Sequence, residues 1–197
     1  MTIPLRMSGQ ESFKRERAVQ ISEAWYFIPM VIASSLFPAI VNAKEQSKEL
    51  YYERLQKLYD LMVWIAIAIA LPITFLSDWI INLLYGAQYS QSGAILMIHI
   101  WAGVFVFLGV VSSTWFISEN LQKYSFYRTL AGALINIILN YILIPVYGIY
   151  GAAYATLVSQ AIASYLFNIT NKKLRYTFLL QTNAILLPFR KLGVKFE

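Results

Sequence analysis

The sequence predicts an all-α integral membrane protein with about five transmembrane helices. Two observations carry this prediction. Of its 197 residues, 58% are hydrophobic and only 13% are charged, with a mean hydropathy of +0.55. Soluble domains carry about 25% charged residues to keep their surface hydrated. The apolar residues also fall into runs near the roughly 20 residues a helix needs to cross a bilayer.

Residues 1–17 (MTIPLRMSGQESFKRER) are polar and basic with no apolar centre, so they do not form a secretory signal. The first apolar run, 18–43, carries Glu23 near its start and prolines at Pro29 and Pro38. The link 44–57 places Leu50, Tyr51, Leu55, Leu58 and Tyr59 on one helical face, with Glu53 and Lys57 at i,i+4 spacing. It reads as an amphipathic helix on the membrane surface that feeds the second span, 58–84, which contains Pro72. The third span is 93–117 and the fourth 129–146. The fifth is 150–168, joined to the fourth by a tight turn around Pro145, Gly148 and Gly151. The tail, 171–197, is basic and expected on the cytoplasmic side; its stretch 178–189 is too short for a span and fits the interface.

The net charge of +6 sits in clusters between the spans, which excludes a nucleic-acid face and points to anionic phospholipid head groups. Lys and Arg alternate strictly: Lys44, Lys48, Arg54 and Lys57 in the first link, none in the second, Lys123 and Arg128 in the third, none in the fourth, and Lys172, Lys173 and Arg175 after the fifth span. The positive-inside rule puts the odd links and the tail in the cytoplasm and the start of the first span outside. Arg6, Lys14, Arg15 and Arg17 oppose that placement of the opening segment.

No enzyme is expected. Cysteine is absent and His99 is the single histidine, so neither a thiolate site nor a zinc site on paired histidines is available. No cofactor or metal is expected. The polar residues within spans form two stripes at i,i+4 spacing: Gly132, Asn136 and Asn140 on the fourth helix, and Thr156, Gln160, Ser164 and Asn168 on the fifth. Two readings fit them, a water-filled substrate pathway or hydrogen bonding between helices packed through small residues. Glu23 and His99 are ionisable groups inside apolar runs. Each is either a proton-relay or head-group contact, or a side chain reaching the interface.

The string NIILNYILIPVYGIYGAAYATLVSQ (Asn136–Gln160) closely resembles the C-terminal part of bacterial polysaccharide flippases of the Wzx type, in the MOP superfamily with lipid II flippases and MATE exporters. AVQISEAWYFIPMVIASSLFPAIV and SDWIINLLYGAQY resemble earlier helices of the same lobe. Asn140, Pro145, Gly148, Gly151–Ala153, Ala155 and Thr156 are the sharpest positions, and residues 1–17 resemble nothing in the family. The resemblance implies two six-helix lobes around a cavity open to alternating sides of the bacterial inner membrane. The implied substrate is a polyprenyl pyrophosphate-linked oligosaccharide for O-antigen, lipopolysaccharide or capsule biosynthesis. It further implies that this chain is a truncated C-terminal part, partnered by an N-terminal lobe or by polysaccharide polymerase machinery. The alternatives are a fragment of a MATE-type drug or ion antiporter and a membrane assembly subunit that transports nothing.

Overall fold

The computed structural model describes residues 9–188; the beginning of the basic opening segment and the end of the tail lie outside them. The described residues form seven α-helices: α1 (Gly9–Glu23), α2 (Phe27–Gln46), α3 (Lys48–Tyr85), α4 (Gln91–His99), α5 (Ala102–Ser118), α6 (Gln122–Ser164) and α7 (Arg175–Ile185). Among them, four stretches are long and apolar enough to cross a membrane: Glu11–Gln46, Lys48–Tyr85, Gln91–Ser118 and Gln122–Ile169. The protein is all-α and multi-pass.

Residues 9–17 are helical and continuous with Ala18–Glu23, and the helix is interrupted by a turn at residues 24–26. Pro29 accounts for the position of the break. In an unbroken helix it would lack the bond to the Trp25 carbonyl and clash with that group; in the first turn of a new helix it does neither. α3 starts where Ser47 Oγ accepts a hydrogen bond from the Leu50 amide at 3.0 Å. Its first turns are amphipathic, with Tyr51, Leu55, Leu58 and Tyr59 buried and the Lys57–Glu53 pair (2.6 Å) exposed.

α6 is two helices folded back on each other. Gly148 takes φ 55°, ψ −133°, a conformation that is open to glycine and strained for any side chain. Beyond it the chain runs antiparallel to its own first arm. Asn136 Nδ2 reaches Ser159 Oγ at 3.1 Å, and a Cβ on Gly132 would stand 2.8 Å from that of Ala163. Both pairs centre on the same point beside Gly148. A side chain on Gly151 would strike the Leu143 carbonyl, so the arms close tightly beneath the turn. The last apolar stretch, Gln122–Ile169, is therefore a hairpin of two arms.

The charged links gather at one end of the bundle. Lys44 pairs with Glu119 at 2.7 Å, and Tyr51 Oη donates to the same carboxylate at 2.8 Å. Asn171 donates to Tyr124 Oη at 3.1 Å, and the Tyr52 and Tyr176 rings meet at 4.4 Å. At the opposite end Ile81, Ile95, Ile149 and Ala153 pack together, and α1 joins them through Ala18. Lys14 there donates to Gln91 at 3.0 Å, and Arg17 lies 5.4 Å from the Tyr85 ring centre. The basic opening helix thus sits with the links that carry no Lys or Arg.

α7 packs against the bundle. Gln181, fully buried, donates from Nε2 to Ser112 Oγ (2.9 Å) and the Ser164 carbonyl (3.0 Å), and accepts from Asn168 Nδ2 (2.9 Å). Tyr59 of α3 bonds to Ser112 at 3.0 Å. One glutamine therefore links the tail to α3, α5 and α6. Gln56 reinforces it by donating to the Leu180 carbonyl at 3.0 Å.

Candidate substrate pathway

The i,i+4 stripes of the two α6 arms face each other because the turn at Gly148 sets them in register. Between them lies a cavity of about 390 Å³. Asn136, Thr156, Gln160 and Ser164 line it, together with Arg128, Thr129 and Ser159. A second cavity of about 310 Å³ lies against α5, and Arg128, Gln160 and Ser164 line both.

Small residues set the spacing of the walls. A Cβ on Gly109 would stand 2.7 Å from Ser164 Oγ, bringing α5 against the second arm just as Gly132 brings the first arm against it. Packing and lining thus share one surface. Asn136 spends its amide on Ser159, while Thr156 and Ser159 bond back to carbonyls of their own helix at 3.0 Å each. Asn140 donates to both Asn136 oxygens at 2.8 Å, one turn above the cavity, and its own Oδ1 is buried without a partner. The Gln160 side chain makes no hydrogen bond among the described residues, leaving a free amide donor and acceptor at the junction of the two cavities.

Arg128 closes the end of this groove nearest the charged links. It is 7% exposed. Nη2 donates to Ser113 Oγ at 2.6 Å and to the Gly109 carbonyl at 3.1 Å, and the guanidinium carbon lies 5.4 Å from the Phe116 ring centre. Nη1 is buried and has no partner. Among the described residues no carboxylate pairs with it.

Asn140 thus stands outside the lining, and two more of the residues singled out from the sequence lie away from α6. Glu23 is exposed at the last position of α1, beside the turn at residues 24–26. His99 is buried at the far end of the bundle, where its Nδ1 lies 2.7 Å from Ser22 Oγ. Neither lines the groove. Arg128 is the residue that sequence reasoning missed, because it was counted among the loop charges that set orientation. The signal was nonetheless present: Arg128 lies one i,i+4 step below Gly132 on the stripe of Asn136 and Asn140.

The family model for the lipid II flippase MurJ matches residues 26–192, starting just before α2. The capsular polysaccharide biosynthesis protein CapF of Staphylococcus aureus is 24% identical over 133 residues, which are 67% of this chain and 34% of that protein. The chain thus spans about a third of the length of that relative. No solved structure matches it. A flippase family model that runs from the first long apolar helix to beyond α7 covers most of the chain, which therefore belongs to the lipid II flippase MurJ family.

Proposed function

We propose that the chain forms one wall of a pathway that moves polyprenyl diphosphate-linked oligosaccharide repeat units across a bacterial inner membrane, for capsule or O-antigen assembly. The carrying observation is the groove between the α6 arms, lined by Asn136, Thr156, Ser159 and Gln160 within an otherwise apolar hairpin. Hydroxyl and amide side chains complement the alternating donors and acceptors of a glycan. Lipid tails offer them nothing, so a polar groove in a bilayer implies a polar occupant. The exposed apolar side chains of the same hairpin, Leu134, Ile137 and Ile138, leave the lipid chain free to remain in the bilayer. Moving the saccharide by alternating access requires a second helical bundle that rocks against this one.

The test is glycan export in cells whose full-length transporter carries Asn140→Leu and Gln160→Leu. Export should fall well below what any fall in membrane abundance explains. Normal export by a well-expressed double variant refutes the pathway, because side chains that merely pack helices would instead change abundance by about 0.6 to 2 kcal/mol of helix association.

A further inference from the structure

We propose that the bundle is hinged at one level, so that α1, α4 and the last turns of α3 swing as one outer block while the end carrying the charged links keeps its shape. The hinge is a property of the packing and does not depend on what the groove carries.

α1 lies parallel to α4 in a constant register. Lys14 bonds to Gln91 and Ser22 to His99, each pair 77 residues apart. Tyr26 lies against Gly103 at the same separation in sequence. Both chains tighten at that height. The Tyr26 amide bonds to the Glu23 carbonyl at 2.9 Å and the Ile28 amide to the Trp25 carbonyl at 3.1 Å. Opposite them, the Gly103 amide bonds to the Ile100 carbonyl at 3.0 Å and the Val104 amide to the Trp101 carbonyl at 3.2 Å. A short stretch of i,i+3 bonding between longer α-helices is a place where the chain bends. α3 carries Pro72 at this level, close to Thr74, whose Oγ1 accepts from Trp101 Nε1 at 3.1 Å. Proline offers no N–H to the Ala68 carbonyl and so weakens α3 there. Three neighbouring helices are thus softened at one height.

The packing divides at the same height. One buried core holds Phe37, Met62 and Phe107, and a separate one holds Ile73, Ile81 and Ile95. Among the described residues, Ile69 and Trp101 are the side chains packed against both. A gap of about 10 Å³, bounded by Ser22, Tyr26, Ile69 and Gly103, lies where the cores meet, so the joint is not filled as an interior is. The ties between helices respect this division. In the outer block Arg17 lies 5.4 Å from the Tyr85 ring centre, and Asp78 leaves no room for a side chain on Gly93. At the other end Lys44 and Tyr51 share Glu119, and Tyr59 bonds to Ser112. The second arm of α6 runs unbroken from Ile149 in the outer core to Ser164 against Gly109, a frame along which the block turns. Two internally tied blocks joined through interrupted helices are the structural form of a hinge.

Spin labels on paired cysteines in the full chain, which has none of its own, read the motion as distance distributions in lipid nanodiscs. Glu16 with Gln88 lies within the outer block, Gln46 with Lys123 within the inner end, and Glu16 with Lys123 spans the hinge; all four are exposed. The spanning pair should give a distribution at least about twofold broader than either internal pair. Gly103→Ala, whose methyl group meets the Tyr26 ring at an ordinary 3.6 Å, should narrow it and leave the internal pairs unchanged. Pro72→Ala, which returns an amide to α3, should narrow it too. A spanning pair as narrow as the internal ones overturns the hinge. So does an inner pair equally broad, because the bundle then flexes throughout. Breadth that survives both substitutions overturns the location at this level. Should Gly103→Ala fail to fold, Pro72→Ala decides alone, and an unnarrowed distribution overturns the proposal.

Discussion

A Cβ at Gly148 would meet nothing within 4 Å, so a substitution there changes only the backbone term. Gly148→Ala should cost about 1–3 kcal/mol, the usual expense of a side chain in a sparsely populated region. Gly151 differs: its backbone is helical, and its substitution drives a methyl group into the Leu143 carbonyl. Overpacking of this kind costs about 1–3 kcal/mol or more. Because the obstacle is backbone that no rotamer change can move aside, Gly151→Ala should be the more damaging of the two. Thermal unfolding of both variants in detergent orders them, and a Gly151→Ala protein as stable as Gly148→Ala contradicts the close approach. At this scale the stripe residues Asn136, Asn140, Thr156, Gln160 and Ser164 were legible from i,i+4 spacing. Which of them keep free hydrogen-bonding capacity was not. That depends on the register between arms, and periodicity within one helix carries no information about its partner. Arg128 was misplaced for a related reason: a charge at the end of an apolar run reads equally as an orientation signal or as the last step of a polar stripe.

Among elements, α7 shows how much rests on one side chain. In Gln181→Leu the Asn168 amide loses an acceptor, and both the Ser164 carbonyl and Ser112 Oγ lose a donor, although each of the three keeps another partner. Exchange of a network glutamine for an apolar residue leaves buried polar groups under-satisfied, at about 1–3 kcal/mol. The tail should detach before the bundle unfolds. Amide hydrogen exchange should therefore accelerate across residues 175–185 in Gln181→Leu while α5 stays protected. Equal protection in variant and wild type would show that Leu180 and Ala184, through their contacts with the core, hold α7 without the glutamine. The sequence showed the tail as basic and too short to span, which says nothing of docking. A buried glutamine in such a segment looks like any solvated one until its neighbours are known. The break at residues 24–26 was hidden similarly, since Pro29 inside an apolar run is compatible with a kink or with a fresh helix start.

For the whole molecule, the two-ended distribution of charge sets an orientation that labelling can read. Gln46 and Gln88 are both exposed, at opposite ends of α3, in a chain without cysteine. Cysteine at position 88 should react with an impermeant reagent added from outside, and cysteine at position 46 should not. The reverse pattern inverts the protein. The groove also gives an expectation for the chain by itself. Alternating access needs two bundles that rock about a shared site, and the chain spans about a third of its capsular relative. If the proposed pathway needs a second bundle, this chain expressed by itself in a flippase-deficient strain should restore no surface polysaccharide, and restoration would refute that need. The hairpin at Gly148 also constrains how the protein is made. The Asn136 amide N–H finds its acceptor only across the turn, on Ser159, which for its part bonds back to Thr156 in its own arm. A ribosome delivers the first arm well before the second. The first arm therefore carries one amide donor that is paired only after the second arm has arrived, so the glycine that shapes the finished wall also decides when that donor leaves water.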